Sequence, residues 1–218
     1  MNEVMSTAGS IDGYSYGDVE CGHMHGLLLP ALLEEIRAGQ EMRGTGMPVF
    51  DLGCGNGSVA AEVAKAGYQV TGCDPSVTGI EMARGHWPDL KLETGSGYED
   101  LGARFGTFPV IYSLEVIEHV YDPRKMVARV YEMLEPGGRF ILSTPYHGYW
   151  KNLMLALTGK MDSHFTVLWD HGHIKFWSRE TISQLLTEAG FKVLKIRRLG
   201  RVPALAMTMM VVAEKPMG

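Results

Sequence analysis

A chain of 218 residues with 45% apolar and 21% charged side chains is long enough to bury a full core, and it reads as one globular domain. Its formal net charge of −5 excludes a global basic field that would draw it to nucleic acid or anionic lipid, leaving room only for a local basic groove. Cys21, Cys54 and Cys73 lack CxxC spacing, the N-terminus MNEVMSTAGSIDG lacks the basic and apolar regions of a signal peptide, and the run PALAMTMMVVA at 203–213 is too short to span a bilayer. These features predict a cytoplasmic protein with reduced thiols and no membrane span, and they leave its oligomeric state open.

In chain order, residues 24–39 have the periodicity of an amphipathic helix around Pro30, within an N-terminal helical cap over 1–46. Strand 47–53 ends in glycines and is followed by helix 58–67, strand 68–74, helix 75–84 and strand 90–95. A fourth strand at 109–114 leads to helix 123–134, which stops at EPGG, and then to strand 139–144. Helix 178–190 has a Ser cap and a Gly end, and KVLKIRRLG with LAMTMMVVAEK predicts a closing antiparallel pair. This alternation predicts an α/β fold: a doubly wound, mostly parallel seven-stranded sheet over 47–218, helices on both faces, the last strand antiparallel. Segment 145–177, PYHGYWKNLMLALTGKMDSHFTVLWDHGHIKFW, breaks the rhythm and is expected to be an insertion on the acceptor side.

In open α/β sheets, ligands bind beyond the carboxyl ends of the strands, where strand order reverses. The first such end is DLGCGNG at 51–57, where Gly53, Gly55 and Gly57 permit a tight turn and close backbone approach. Its GxGxG spacing differs from the dinucleotide fingerprint GxGxxG. Asp51, just before the loop, would repel a pyrophosphate and attract a cation. Asp74, at the end of the second strand, is placed to accept hydrogen bonds from ribose hydroxyls, although Asp74-Pro75-Ser76 alone also fits a helix-capping turn. Glycines and two carboxylates together favour a nucleoside with a positive tail. S-adenosylmethionine has that form.

VFDLGCGNGSVAAEVAKAGYQVTGCDPS resembles the first two motifs of class I S-adenosylmethionine-dependent methyltransferases, and SLEVIEHVYDP with LEPGGRFILSTP resembles their fourth- and fifth-strand motifs. The likeness runs from residue 47 to the C-terminus and is nearest to the ubiquinone-biosynthesis O-methyltransferase-like group. It implies that Gly53, Gly55 and Gly57 lie against the methionine part of the cofactor, with Cys54 and Asn56 in the same loop and Asp51 near the ammonium. Asp74, beside Pro75, would hold the ribose; Ser96, Gly97 and Tyr98 would border the adenine; Ser113 and Leu114 would complete the floor. Ser96 stands where many relatives have Asp, and Pro109 replaces an Asp often found at the start of the fourth strand.

In SLEVIEHVYDP, at 113–123, Glu115, Glu118 and His119 are spaced to share one face of a starting helix beside the methyl group. A hydroxyl acceptor needs its proton removed by a base or its pKa lowered by a metal. Two carboxylate oxygens and an imidazole suit Mg²⁺ or Mn²⁺ better than Zn²⁺. The ExxEH arrangement also resembles the metal-binding helix start of small-RNA 3′-terminal 2′-O-methyltransferases. These supply a further His from a His-Lys-Phe motif, for which His173 in GHIKFW is the counterpart, with Ile174 as an extra residue. Ubiquinone-type O-methyltransferases, metal-dependent in some members, carry a similar ExxEH. The competing reading is an acidic first turn favoured by the helix dipole alone, at ~0.3–1 kcal/mol per carboxylate.

His119 and His147 are the candidate bases. His23 and His25, with Tyr14 and Tyr16, would form an N-terminal lid; His164 and His171 lie in the insertion; for any one of them a surface role competes. Trp150, Phe165, Trp169, Phe176 and Trp177 would flank a flat acceptor or form the insertion's own core. Met207, Met209 and Met210 read as packing residues. The expectation is therefore methyl transfer to a small molecule, at oxygen before nitrogen, with no nucleic-acid partner. RNA 2′-O-methylation and a non-catalytic cofactor-binding subunit are the alternatives.

Overall fold

A computed structural model describes residues 24–40, 46–165, 167–169 and 172–218. The expectations for Tyr14, Tyr16, Cys21, His23 and His171 lie outside the described residues. Seven strands form one sheet: β1 (Pro48–Leu52), β2 (Gln69–Asp74), β3 (Lys91–Thr94), β4 (Phe108–Leu114), β5 (Leu134–Pro145), β6 (Lys192–Leu199) and β7 (Thr208–Glu214), in the order β3-β2-β1-β4-β5-β7-β6. β7 lies antiparallel between β5 and β6, and the other pairings are parallel. Strand order reverses between β1 and β4, so a crevice is expected above their carboxyl ends.

The inner strands are apolar on both faces because helices cover both. Ile111, Phe140, Leu142, Met209 and Val211 face a core formed with α4 (Leu101–Phe105), α5 (Pro123–Met133) and α8 (Arg179–Glu188). Val110, Tyr112, Ile141, Met210 and Val212 face the core of α1 (His25–Gln40), α2 (Ser58–Lys65) and α3 (Val77–His86). The period-two alternation thus sends Met209 and Met210 to opposite cores, as packing residues. Met207, expected to pack with them, is half exposed because it precedes β7 and escapes the sheet.

Local sequence fixes the helix starts. Ser76 caps α3 by accepting from Gly79 N, Asp122 caps α5 by accepting from Lys125 N with Pro123 following, and Ser178 and Thr181 form a reciprocal capping box on α8. The five-residue α4, capped by Asp100, was too short to show a helical period. β5 begins at Leu134 rather than 139, because EPGG continues as a bulged extension: Leu134 pairs with Phe108, and the register shifts before Val110 meets Arg139. α1 is tied to the far edge of the sheet, where buried Glu35 accepts from Lys195 Nζ at 2.7 Å and Arg197 Nη1 at 2.9 Å. Among the described residues no helix is long and apolar enough to cross a membrane.

Candidate active site

At the carboxyl end of β1 the chain turns through Gly53, Gly55 and Gly57, whose φ angles are 87°, 52° and 79°. A side chain at Gly53 would collide with Val116, and one at Gly57 would lie 2.8 Å from Leu92, so this turn needs glycine for space as well as conformation. The loop is latched to the end of β2. Gly53 N and Cys54 N donate to Cys73 O, and Gly55 N donates to Asp74 Oδ2 at 2.9 Å while Ser76 N donates to Asp74 Oδ1 at 2.8 Å. Asp74 is thus held by backbone amides, and the capping task falls to Ser76.

Asp51 is buried opposite Tyr112, its Oδ2 without a hydrogen-bond partner. Burial, with Asp74 adding to it, pushes the Asp51 carboxyl up to about 8. Cys54 and Asn56 are buried in the same turn, Pro75 is exposed, and Gly95 N, just before Ser96 and Gly97, donates to Asp74 O. Tyr98 OH accepts from Asp122 N, fixing its ring beside the start of α5. Buried Ser113 has an unpartnered Oγ, and Leu114 ends β4 next to it. The expected cofactor residues therefore converge on the switch point.

The shared helical face expected for Glu115, Glu118 and His119 is not formed. Glu115 has φ 55°, the one positive value outside glycine among the described residues, Ile117–His119 makes a single 3₁₀ turn, and α5 starts only at Pro123. The two carboxylates consequently part. Glu115 Oε1 accepts from Ser143 Oγ at 2.7 Å and Thr208 Oγ1 at 2.8 Å. Glu118 is fully buried with no well-formed hydrogen bond to either oxygen, although the Thr144 hydroxyl acts on it; burial first, then Glu115, hold its carboxyl well above the ordinary range.

Ligand atoms of Glu118, His119 and His173 lie within 4.8 Å of one another. Glu115 does not belong to this group. The Ile174 and Lys175 amides both donate to Glu118 O, which straps His173 against the 3₁₀ turn and absorbs the extra residue. His119 Nδ1 donates to Gly172 O at 3.2 Å, setting the tautomer with the lone pair on Nε2. The His119 and His173 rings are 4.9 Å apart, with Trp169 edge-on to both.

A second group of rings surrounds His147. His147 is buried, stacks on Phe165 at 5.8 Å and meets Phe176 and His164 edge-on or tilted at 5.1 and 5.5 Å. Its Nδ1 has no partner, and burial followed by the charge of Lys151 push it down to about 4. Burial likewise takes His173 down to about 4, with His119 and His164 adding to it. Both imidazoles are neutral at physiological pH. His147 and Phe165 with Phe176 thus form an aromatic cluster, whereas Trp177 belongs to the main core through its Ile117 O hydrogen bond and Trp150 is exposed. Segment 145–177 contains two short helices, α6 (Tyr149–Leu157) and α7 (Met161–Phe165). His25 opens α1, its imidazole lowered by burial. Sequence reasoning missed Tyr112, Ser143, Thr208, Lys151 and Asn152. The hydroxyls at the facing ends of β5 and β7 were the available signal for two of them.

A parallel sheet with an amide-lined glycine turn and acidic residues at its switch point defines a nucleoside-cofactor enzyme. The Methyltransferase domain family profile matches residues 23–196. A ubiquinone biosynthesis O-methyltransferase from Chelativorans sp. is 31% identical over 191 residues, covering 78% of this chain and 72% of the relative. One from Coxiella burnetii is 27% identical over 173 residues, covering 78% and 73%. The fold is shared with magnesium protoporphyrin IX methyltransferase from Synechocystis, solved with bound S-adenosylhomocysteine, at a TM-score of 0.67, 18% identity and coverage of 92% and 90%. The chain belongs to the methyltransferase family and is an S-adenosylmethionine-dependent methyltransferase.

Proposed function

We propose that the chain methylates a hydroxyl oxygen of a small molecule with the help of a divalent cation held by Glu118, His119 and His173. The observation that carries this reading is the buried Glu118 carboxyl, with no well-formed hydrogen bond to either oxygen, beside two imidazoles. A buried carboxyl left unsatisfied is costly, and a cation is the partner that the neighbouring nitrogens also suit. With Glu115 directed elsewhere, the set is two nitrogens and one carboxylate, which favours Mn²⁺, Fe²⁺ or Zn²⁺ over Mg²⁺. Such an ion would lower the pKa of the acceptor hydroxyl.

S-adenosylmethionine supplies an electrophilic methyl on a sulfonium. Buried Asp51, with its Oδ2 unpartnered, fits the cationic amino-acid end. The turn Gly53, Cys54, Gly55, Asn56 and Gly57 would lie along the methionine part, Asp74 and Pro75 at the ribose, Ser96, Gly97 and Tyr98 at the adenine, and Ser113 and Leu114 beneath. The chain's main contribution is alignment, since holding donor and acceptor in line removes most of the entropic barrier. Neutral His147 is the proton acceptor, and segment 145–177 covers the acceptor side. The O-methyltransferase names of the relatives support oxygen as the acceptor atom.

By-product release of S-adenosylhomocysteine should be followed over catechols, phenols and amines, before and after exhaustive chelation. Turnover of hydroxyl compounds that chelation abolishes and Mn²⁺ or Zn²⁺ restores is expected. Exclusive methylation of amines, or full activity after chelation, would overturn the reading.

A further inference from the structure

We propose that Tyr112 is a positioning residue of the cofactor site, its phenol donating to the Asp51 carboxylate when the cofactor's ammonium is bound. The inference rests on the reading of Asp51 as the partner of the cofactor's amino-acid end and adds the residue beside it. Asp51 and Tyr112 are register partners on the parallel strands β1 and β4, so the pleat sends both side chains to the face covered by α1, α2 and α3. On the other flank Asp51 is paired with Gly72 of β2, which brings no side chain. A Cβ at Gly72 would lie 3.1 Å from the Cβ atoms of Asp51 and Cys54, so at that position β2 closes against the carboxyl with backbone alone.

The Tyr112 hydroxyl has no task in the fold itself. The ring is 0% exposed in the core layer of Val49, Val110, Ile141 and Met210, where phenylalanine would pack equally well. Tyr112 Oη lacks a well-formed hydrogen bond, as does Asp51 Oδ2, although the two groups act on each other. A buried hydroxyl without a partner is costly, and buried tyrosines normally find one. An ionised Asp51 supplies it: the phenol, held well above its ordinary range by burial and then by Asp51, keeps its proton and donates. The other titratable groups around the carboxyl do not suit this part. Asp74 repels it and is engaged by the Gly55 and Ser76 amides, burial followed by Asp51 holds the Cys54 thiol up, and Cys73 faces the opposite core. The pair is thus complete only when a cation makes Asp51 ionise, which ties the Tyr112 hydrogen bond to occupancy of the site.

Calorimetric titration with S-adenosylhomocysteine, which carries the ammonium, tests this in wild type, Tyr112→Phe, Asp51→Asn and the double variant. Tyr112→Phe is expected to bind about tenfold more weakly, and to cost almost nothing further once Asp51→Asn is in place. Its ligand-free urea midpoint is expected to equal or exceed that of wild type, because an unsatisfied hydroxyl has been removed. Wild-type affinity in Tyr112→Phe, the same loss in the Asp51→Asn background, or a lower ligand-free midpoint would overturn the proposal. Loss of folding in Tyr112→Phe would do the same, since the hydroxyl is assigned no part in the ligand-free fold. An Asp51→Asn variant that binds like wild type would instead overturn the reading of Asp51 on which the proposal stands.

Discussion

Asp51 shows how one residue ties the fold to its ligand. Its carboxyl, ordinarily near 3.8, is raised to about 8 by burial. A raised folded-state value favours the native state fully below the ordinary range and loses that contribution as pH rises through about 8. A cationic ligand reverses the preference by requiring the ionised form. S-adenosylmethionine binding at neutral pH is therefore predicted to release about one proton, read as the dependence of binding heat on buffer ionisation heat. Affinity should rise with pH up to about 8, and Asp51→Asn should abolish the proton release. Glu118 poses the related question of a buried acid without well-formed hydrogen bonds. Replacing it with an apolar side chain of similar length removes that burden. Glu118→Met is predicted to raise the stability of metal-free protein by ~1–2 kcal/mol in urea denaturation, while abolishing Mn²⁺ or Zn²⁺ binding by calorimetry.

At the scale of elements, the glycine turn and the loop after β4 are fitted to each other. A methyl group at position 53 would meet Val116 and would also sit at φ 87°. Gly53→Ala should destabilise the protein by ~2–4 kcal/mol and weaken S-adenosylhomocysteine binding. Val116→Ala in the same chain should recover part of that loss in a double-mutant cycle, because it removes the collision and leaves the backbone strain. The clamp from α1 to β6 is a milder case. Glu35→Ala removes the buried carboxylate, but Lys195 keeps Glu34 at 4.0 Å, Arg197 keeps it at 2.7 Å, and these cations are 48% and 26% exposed, so water reaches them. A loss of ~1–2 kcal/mol in thermal or urea unfolding is predicted, below the cost of orphaning a fully buried charge.

Across the whole molecule, the elements that build the sheet were legible because alternating apolar runs, Ser and Asp caps and glycine stops all act locally. The glycine turn and Asp74 were legible for the same reason: they sit at fixed distances from strand ends. The acidic stretch misled because helical spacing assumes helical backbone, and Glu115 at φ 55° breaks the spiral before it starts. Its true partners, Ser143 and Thr208, are 28 and 93 positions away, and only the pairing of β5 with β7 brings them together. At this scale the proposal is a nucleoside cofactor site assembled from the ends of β1, β2, β3 and β4 at one switch point. Titration of the protein with S-adenosylhomocysteine in a calorimeter tests this most directly. One-site binding at micromolar affinity, lost in Asp74→Ala, is predicted; no heat of binding at millimolar ligand would contradict it.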